Sequence, residues 1–237
     1  MSYKTELHCH SKDASGCSHE SVEGICEKYL RYGYTTVCLT NHFTPEGNFL
    51  DPAEWAAKVR RKYAAYEKLK ACANGRLTIL MGLEFRFVQN SNDYLVFGFD
   101  EDWLVSHTGE MLRMGIRKFT EMARADGLFT IQAHPFRHGM VVTDASCVDA
   151  VEIFNGHPGH NSNNDIAEAW ARKYGKIMTS GTDHHNPDHM PDAGIRTDFP
   201  ITSEAVLIET LRSGAFTLIR GEEDAKNSTY TTAAGLR

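Results

Sequence analysis

The sequence predicts an α/β fold in which a mainly parallel sheet closes into a distorted β/α barrel. Three observations lead there. Short apolar runs alternate with amphipathic runs along nearly the whole chain, the pattern of strands joined by crossover helices. Five apolar runs end in a histidine or an acid, as expected where a site is assembled from the loops that follow barrel strands. Neither a Gly-x-Gly-x-x-Gly nor a Walker signature is present, which disfavours an open doubly wound sheet. A length of 237 residues suits one such domain.

The first strand is read over Tyr3 to His10. Strand side chains at i and i+2 share a face, so His8 and His10 present two imidazoles to one point. After a polar loop, Ser21 serves as the N-cap of an amphipathic run through Tyr32, and Gly33 stops it. Thr35 to Thr40 is a buried strand that delivers Asn41 and His42 to its end. Pro45 and Gly47 break the chain before the longest helical pattern, Asp51 to about Ala73, which has Pro52 in its first turn and Asn74-Gly75 beyond its end. Tyr63, Tyr66 and Leu69 lie at helical spacing and are read as core.

Leu77 to Leu83 is an apolar strand ending at Glu84, and Tyr94 to Phe99 is another, flanked by Asp93 and Asp100. A helix over Glu110 to Ala125 closes at Asp126-Gly127, and Leu128 to Ala133 leads to His134-Pro135. Val148 to Phe154 reaches Asn155-Gly156-His157. A helix over Asn164 to Tyr174 precedes a strand over Lys176 to Thr182, which ends in Asp183-His184-His185. A helix at Ser203 to Arg212 and a strand at Phe216 to Ile219 come last. The barrel domain is therefore assigned to residues 1–221, with polar residues 222–237 as a C-terminal tail.

Composition narrows the function. Apolar residues make up 41% and charged residues 24%, ordinary values for a soluble globular protein. A net charge of -6 disfavours a nucleic-acid polymer as partner, because neutralising phosphates calls for clustered Lys and Arg. A small anionic substrate stays open, since a metal can supply the local positive charge. Six cysteines without a Cys-x-x-Cys pair fit reduced thiols. The start MSYKTELHCH has no apolar signal core, and no stretch approaches the roughly 18 apolar residues of a membrane span. The expectation is a soluble cytoplasmic protein without membrane association.

Taken together, His8-Cys9-His10, Thr40-Asn41-His42, Gly82-Leu83-Glu84, Ala133-His134-Pro135 and Gly181-Thr182-Asp183-His184-His185 resemble the ordered motifs of the polymerase and histidinol phosphatase (PHP) superfamily. The resemblance runs from about residue 4 to residue 220. It implies a distorted (β/α)7 TIM-like barrel holding two or three divalent metals, Zn, Mn or Fe. It also implies hydrolysis of phosphate monoesters by a metal-activated hydroxide, as many stand-alone members perform. Carried over by residue, His8, His10, Glu84 and Asp183 form a first metal site, and Glu84 bridges to a second that includes His134. His42 and His185 belong to a third, and Asp183, His185 and Glu84 are assigned to the chemistry.

The chain departs from the pattern in three places. Asn41 stands where the family usually has Asp. The fourth strand offers Asp93 and Asp100 where relatives often carry a histidine, and either can substitute. The Asp or His that relatives place shortly after His-x-His is represented only by Asp13 and His19, at other spacings.

Two arginines, Arg137 and Arg196, offer a planar fork for an anion, with a surface salt bridge as the alternative. Arg137, Asn155 and His157 are the candidate substrate contacts, while His138, His160, His184 and His189 are either further contacts or polar filler near the mouth. The expected function is hydrolysis of a small phosphorylated metabolite. The rivals are hydrolysis of another bond on the same metal centre, and a non-catalytic metal-binding or regulatory domain.

Overall fold

The structure is a computed structural model that describes residues 2–221; the tail read at 222–237 lies outside the described residues. Its strands are β1 (Tyr3–Cys9), β2 (Thr36–Leu39), β3 (His42–Phe43), β4 (Thr78–Arg86), β5 (Asp93–Phe97), β6 (Phe129–Gln132), β7 (Ala150–Asn155), β8 (Ile177–Gly181), β9 (Ala193–Thr197) and β10 (Thr217–Arg220). They pair in the order β10-β9-β1-β2-β4-β5-β6-β7-β8, with β3 lying on β4. The end of β1 meets the segment after β8 through a bridge between Cys9 and His184. There His10 N donates to His184 O at 2.9 Å and His184 N donates to His8 O at 3.2 Å. The sheet thereby comes round into a nearly closed, distorted barrel.

The distortion has identifiable causes. β1, β2 and β4 pair in parallel, as do β6, β7 and β8, but β5 runs antiparallel to both β4 and β6. Its first residue, Asp93, pairs with Arg86 at the last position of β4 and so arrives at the same rim as the ends of the parallel strands. β9 and β10 form an antiparallel pair laid onto the first half of β1. At Gly194 the two backbones approach so closely that a Cβ would sit 2.3 Å from Thr5 O, and φ is +127°. A glycine is required there on both counts.

The helices are α1 (Val22–Arg31), α2 (Pro52–Ala73), α3 (Glu101–Ser106), α4 (Gly115–Ala125), α5 (Asn164–Lys173) and α6 (Glu204–Ser213). Ser21 caps α1 as expected, its hydroxyl accepting from Gly24 N at 3.0 Å. Asp51 caps α2, and Asn74 ends it in the left-handed region at φ 46°. The helix expected over Glu110 to Ala125 is split into a 3-10 turn at Gly109–Arg113 and α4, because Gly115 has φ +76° and breaks the α path. Asp100 caps α3, an element absent from the sequence reading, by accepting from Trp103 N at 2.8 Å.

One apolar cluster includes Leu83, Phe85, Val96, Phe129, Val151 and Leu211; a second packs α1 and α2 on β2 through Ile25, Tyr29, Val37 and Leu69. Tyr63 and Tyr66 are partly buried against the first cluster, as their spacing suggested. All six cysteines are free, and among the described residues no helix is long and apolar enough to cross a membrane.

Candidate metal centre

The strand ends deliver their side chains to one buried point, with Glu84 at its hub. Its Oε1 lies 3.3 Å from His8 Nε2 and 3.1 Å from His134 Nε2, while its Oε2 lies 2.7 Å from His42 Nδ1 and 3.4 Å from His10 Nε2. Asp183 repeats the pattern on the other side: its Oδ1 is 3.3 Å from His8 Nε2, 3.4 Å from His10 Nε2 and 3.3 Å from His185 Nδ1. His8, His10, Glu84, His134 and Asp183 are fully or almost fully buried. The backbone takes left-handed φ values at His134 (27°) and Asp183 (52°), which are uncommon for such residues and turn both side chains inward at the ends of their strands.

Among the described residues, ligand-type atoms fall into four overlapping groups, each within 4.8 Å: His8, His10 and Asp183; His8, Glu84 and His134; His42, Glu84 and Asp93; and His10, His42 and His185. All seven residues expected at metal sites are therefore brought together. Of the two open carboxylates, Asp93 joins them and Asp100 does not, since it caps α3. Neither Asp13, which pairs with Lys68 at 2.8 Å, nor the exposed His19 enters a group.

The electrostatics fit a cationic occupant. Burial works against charge on His8, yet the Asp183, Glu152 and Glu84 carboxylates hold its pKa well above the ordinary imidazole value. Burial likewise opposes charge on Glu84, but His42, His8 and His134 hold it well below the usual carboxylate range. His10 is pushed down by burial and by its neighbours His185 and His42, and Asp93 is pushed up by burial and by Glu84. His8 Nε2 and His10 Nε2 have no hydrogen-bond partner although buried, and His42 Nδ1 and Glu84 Oε2, 2.7 Å apart, are not aligned for a hydrogen bond. Buried polar atoms left so are rare, and a converging set of imidazole and carboxylate donors suits first-row divalent ions.

Arg137 reaches this point from the loop after β6. Its Nη2 donates to Asp183 Oδ2 at 2.7 Å, Asn155 Oδ1 at 2.8 Å and Ser162 Oγ at 3.3 Å, and its buried Nε has no partner. A cavity of about 350 Å³ over the centre is lined by Cys17, His42, Arg86, Asp93, His134 and Arg137, among others. His157 and His160 also line it, and burial lowers the His157 pKa to about 4.

Other expected contacts lie elsewhere. Asn155 does not line the cavity: its amide donates to Glu152 Oε2 at 2.9 Å and its oxygen accepts from Arg137 and from His157 N. Arg196 pairs in register with Lys4 on β1, at the barrel end away from the site, and donates to Ser2 Oγ at 2.8 Å. His184 is buried behind the centre, 3.5 Å from Glu20. Asn41 keeps a structural role without a charge, its Oδ1 accepting from Ser11 N and Ser15 Oγ, each at 2.9 Å.

A family profile described as PHP domain matches residues 6–182. The chain belongs to the PHP family. A second profile, described as PHP-associated, matches residues 161–216. No curated protein matches the chain. Among solved structures, this PHP chain resembles a two-domain protein from Bacteroides vulgatus containing a predicted PHP-like metal-dependent phosphoesterase, at 13% identity and TM-score 0.63. That match covers 93% of this chain but 65% of the other. PsfC from Pseudomonas syringae matches at 14% identity and TM-score 0.63, covering 95% of this chain and 94% of that one. A lesion-specific endonuclease from Pyrococcus furiosus matches at 13% identity and TM-score 0.60, covering 92% of this chain and 58% of the endonuclease. At such identities the likeness is one of fold.

In this PHP barrel the sequence reading missed two acids that orient the centre. Glu152, on β7, accepts from His8 Nδ1 at 2.9 Å and from His134 N at 2.9 Å, fixing the imidazole whose Nε2 faces Glu84. Glu6, on β1, accepts from His8 N at 2.8 Å, Thr182 N at 3.0 Å and Tyr29 OH at 2.9 Å, and so ties the strand of His8 to the strand end of Asp183. Glu152 is an acid inside an otherwise apolar run, a signal present in the sequence, whereas Glu6 stands in a mixed run beside Lys4, Thr5 and His8. Because carboxylates behind a ligating imidazole raise its basicity, Glu152→Gln is expected to weaken metal binding roughly 10- to 100-fold with the fold retained. Chelator competition on the two proteins measures this, and equal affinities would remove the orienting role.

Proposed function

We propose that the barrel of residues 1–221 is a metal-dependent phosphoesterase that hydrolyses a phosphate monoester of a small metabolite. The observation that carries this reading is the convergence of His8, His10, His42, Glu84, Asp93, His134, Asp183 and His185 beneath a cavity rimmed by Arg137. His8, His10 and Asp183 suit one metal, Glu84 and His134 with His8 a second, and His10, His42 and His185 a third, while Asp93 joins Glu84 and His42 between them. Bound divalent metals supply Lewis acidity and a water activated near neutral pH.

The chain's own residues do the rest. Arg137 presents a guanidinium with an unpartnered Nε to a phosphoryl oxygen, while its bond to Asp183 fixes where that charge sits. His157, neutral at pH 7 with a pKa near 4, contributes a polar wall without adding charge. Orientation of the ester by these groups lowers the barrier by positioning rather than by covalent chemistry. The net charge of -6 and a cavity of about 350 Å³ favour a small substrate over the duplex bound by endonuclease relatives. Six free cysteines fit a reducing, cytoplasmic setting.

The test pairs elemental analysis of metal-replete protein with a panel of phosphomonoesters, phosphodiesters and carboxamides. About two or more metals per chain, by the ligand count such sites need, with turnover of monoesters is expected. Less than one metal per chain and no hydrolysis would leave a binding domain as the better reading.

A further inference from the structure

The two helices beside the loop after β1 are held in register by one cation. Lys68 Nζ on α2 lies 3.1 Å from Glu23 Oε1 on α1 and 2.8 Å from Asp13 Oδ1 in the loop. α2 grips the same loop again through Lys62, whose ammonium donates to the Ala14 carbonyl. Residues three or four apart share a helix face, so Cys26, three on from Glu23, and Cys72, four on from Lys68, stand one turn beyond that ion pair.

The two thiols meet there. Cys26 is buried with Ile25, Leu69 and Ala73 in the cluster between α1 and α2, Cys72 packs against the same cluster, and the two cysteine side chains are in contact. Both are free thiols. They differ in access: Cys26 is 1% exposed, whereas Cys72 is half-buried. The Arg76 guanidinium donates to the Cys72 carbonyl at 3.2 Å and sets a positive charge beside the pair, which favours a thiolate. Burial, then the Cys72 thiol, raises the Cys26 pKa, so Cys26 stays protonated until its neighbour reacts.

We propose that Cys26 and Cys72 form a peroxide-oxidisable pair that closes to a disulfide, a reversible staple joining α1 to α2. Hydrogen peroxide meets Cys72 first: the thiolate sulfur bonds to one peroxide oxygen, the O–O bond breaks and hydroxide leaves, giving a sulfenic acid. The Cys26 sulfur then gives up its proton and attacks the Cys72 sulfur, the S–S bond forms, and the S–O bond breaks with loss of water. Two thiols and one peroxide thus give a disulfide and two waters, the sulfurs losing the two electrons that the peroxide gains. A low-molecular-weight thiol such as glutathione reverses the step, as suits a bond that forms transiently in a reducing compartment. The ring so closed contains Asn41 and His42, so the staple stabilises the side of the barrel that carries them.

The test treats the metal-loaded full chain with hydrogen peroxide, blocks the remaining thiols with N-ethylmaleimide under denaturing conditions, and maps the cysteines by mass spectrometry without reductant. A peptide joining Cys26 to Cys72, lighter by two hydrogens than its separate halves and lost on adding glutathione, is expected. Tm should rise by roughly 5 to 15 °C, the gain from closing a loop of that length. Cys72→Ser should abolish both the link and the rise. Recovery of both cysteines as maleimide adducts under conditions that oxidise the exposed Cys17 would overturn the proposal. Cys72 found as a sulfinic acid beside an unreacted Cys26 would overturn it too, and so would a linked protein with an unchanged Tm. Should Cys72→Ser not fold, the wild-type map and its Tm decide alone.

Discussion

Glu84→Gln is expected to reduce bound metal to below half the wild-type level and kcat/KM by at least about a hundredfold, together. The reason is positional. Its two oxygens lie within 3.4 Å of four imidazoles, so the carboxylate is the one anion common to His8, His10, His42 and His134. Gln offers one acceptor oxygen and no charge, and it points an amide N–H₂ at nitrogens that must act as donors of lone pairs. Asp183→Asn is expected to fail in the same direction, since it removes the anion facing His8, His10 and His185. Metal analysis and turnover must be read on the same preparations. Retained stoichiometry with retained turnover would make Glu84 an ordinary buried acid.

Arg137→Ala is expected to lower kcat/KM for phosphomonoesters by roughly 30- to 150-fold, the loss of one contact worth about 2 to 3 kcal/mol, with bound metal unchanged. The structure adds a complication that the experiment can resolve. Arg137 holds Asp183 Oδ2 at 2.7 Å and Asn155 Oδ1 at 2.8 Å, so its removal frees a candidate metal ligand as well as a phosphate contact. Arg137→Lys keeps a cation near Asp183 but loses the fork, and should raise KM more than it lowers kcat. Loss of metal in Arg137→Ala would assign the residue to holding Asp183, and wild-type kinetics on every ester would remove it from substrate binding.

Much of the centre was legible because strand geometry converts sequence spacing into shared faces. His8 and His10 at i and i+2, and single polar residues ending apolar runs, need no tertiary information to be placed at one rim. Asp93 was ambiguous against Asp100 because β5 is reversed: the rim-facing residue of a reversed strand is its first, and nothing local announces the reversal. Glu152 and Glu6 were passed over because an acid inside a strand reads as an outward position in a two-residue alternation, whereas these strands are buried on both faces. β9 carries Ala-Gly at its start, too little side chain to register as a strand, and its pairing is what carries Arg196 away from the site. The break at Gly115 shows the converse, a helical periodicity overridden by one residue with positive φ. The meeting of Cys26 and Cys72 was not readable, because the two thiols come from separate helices and are brought together only by the packing of α1 on α2.

The seam where β1 meets the segment after β8 also governs how this protein is made. Thr182 and Glu6 are 176 positions apart, and the bonds between His10, His184 and His8 span a similar stretch of chain. Closing so long a loop is among the slowest steps available to a chain of this size, because its entropy is lost before any contact across the seam is gained. The ligand set is divided by that seam, with His8 and His10 on one lip and Asp183 and His185 on the other. Capture of a metal by both lips would therefore come late in folding, and the ion would act as a clasp on the ends of the barrel. Ions present during refolding should slow reopening more than they speed closure, so that amides of residues 8–10 and 182–185 exchange with solvent together, as one unit, when the clasp is withdrawn.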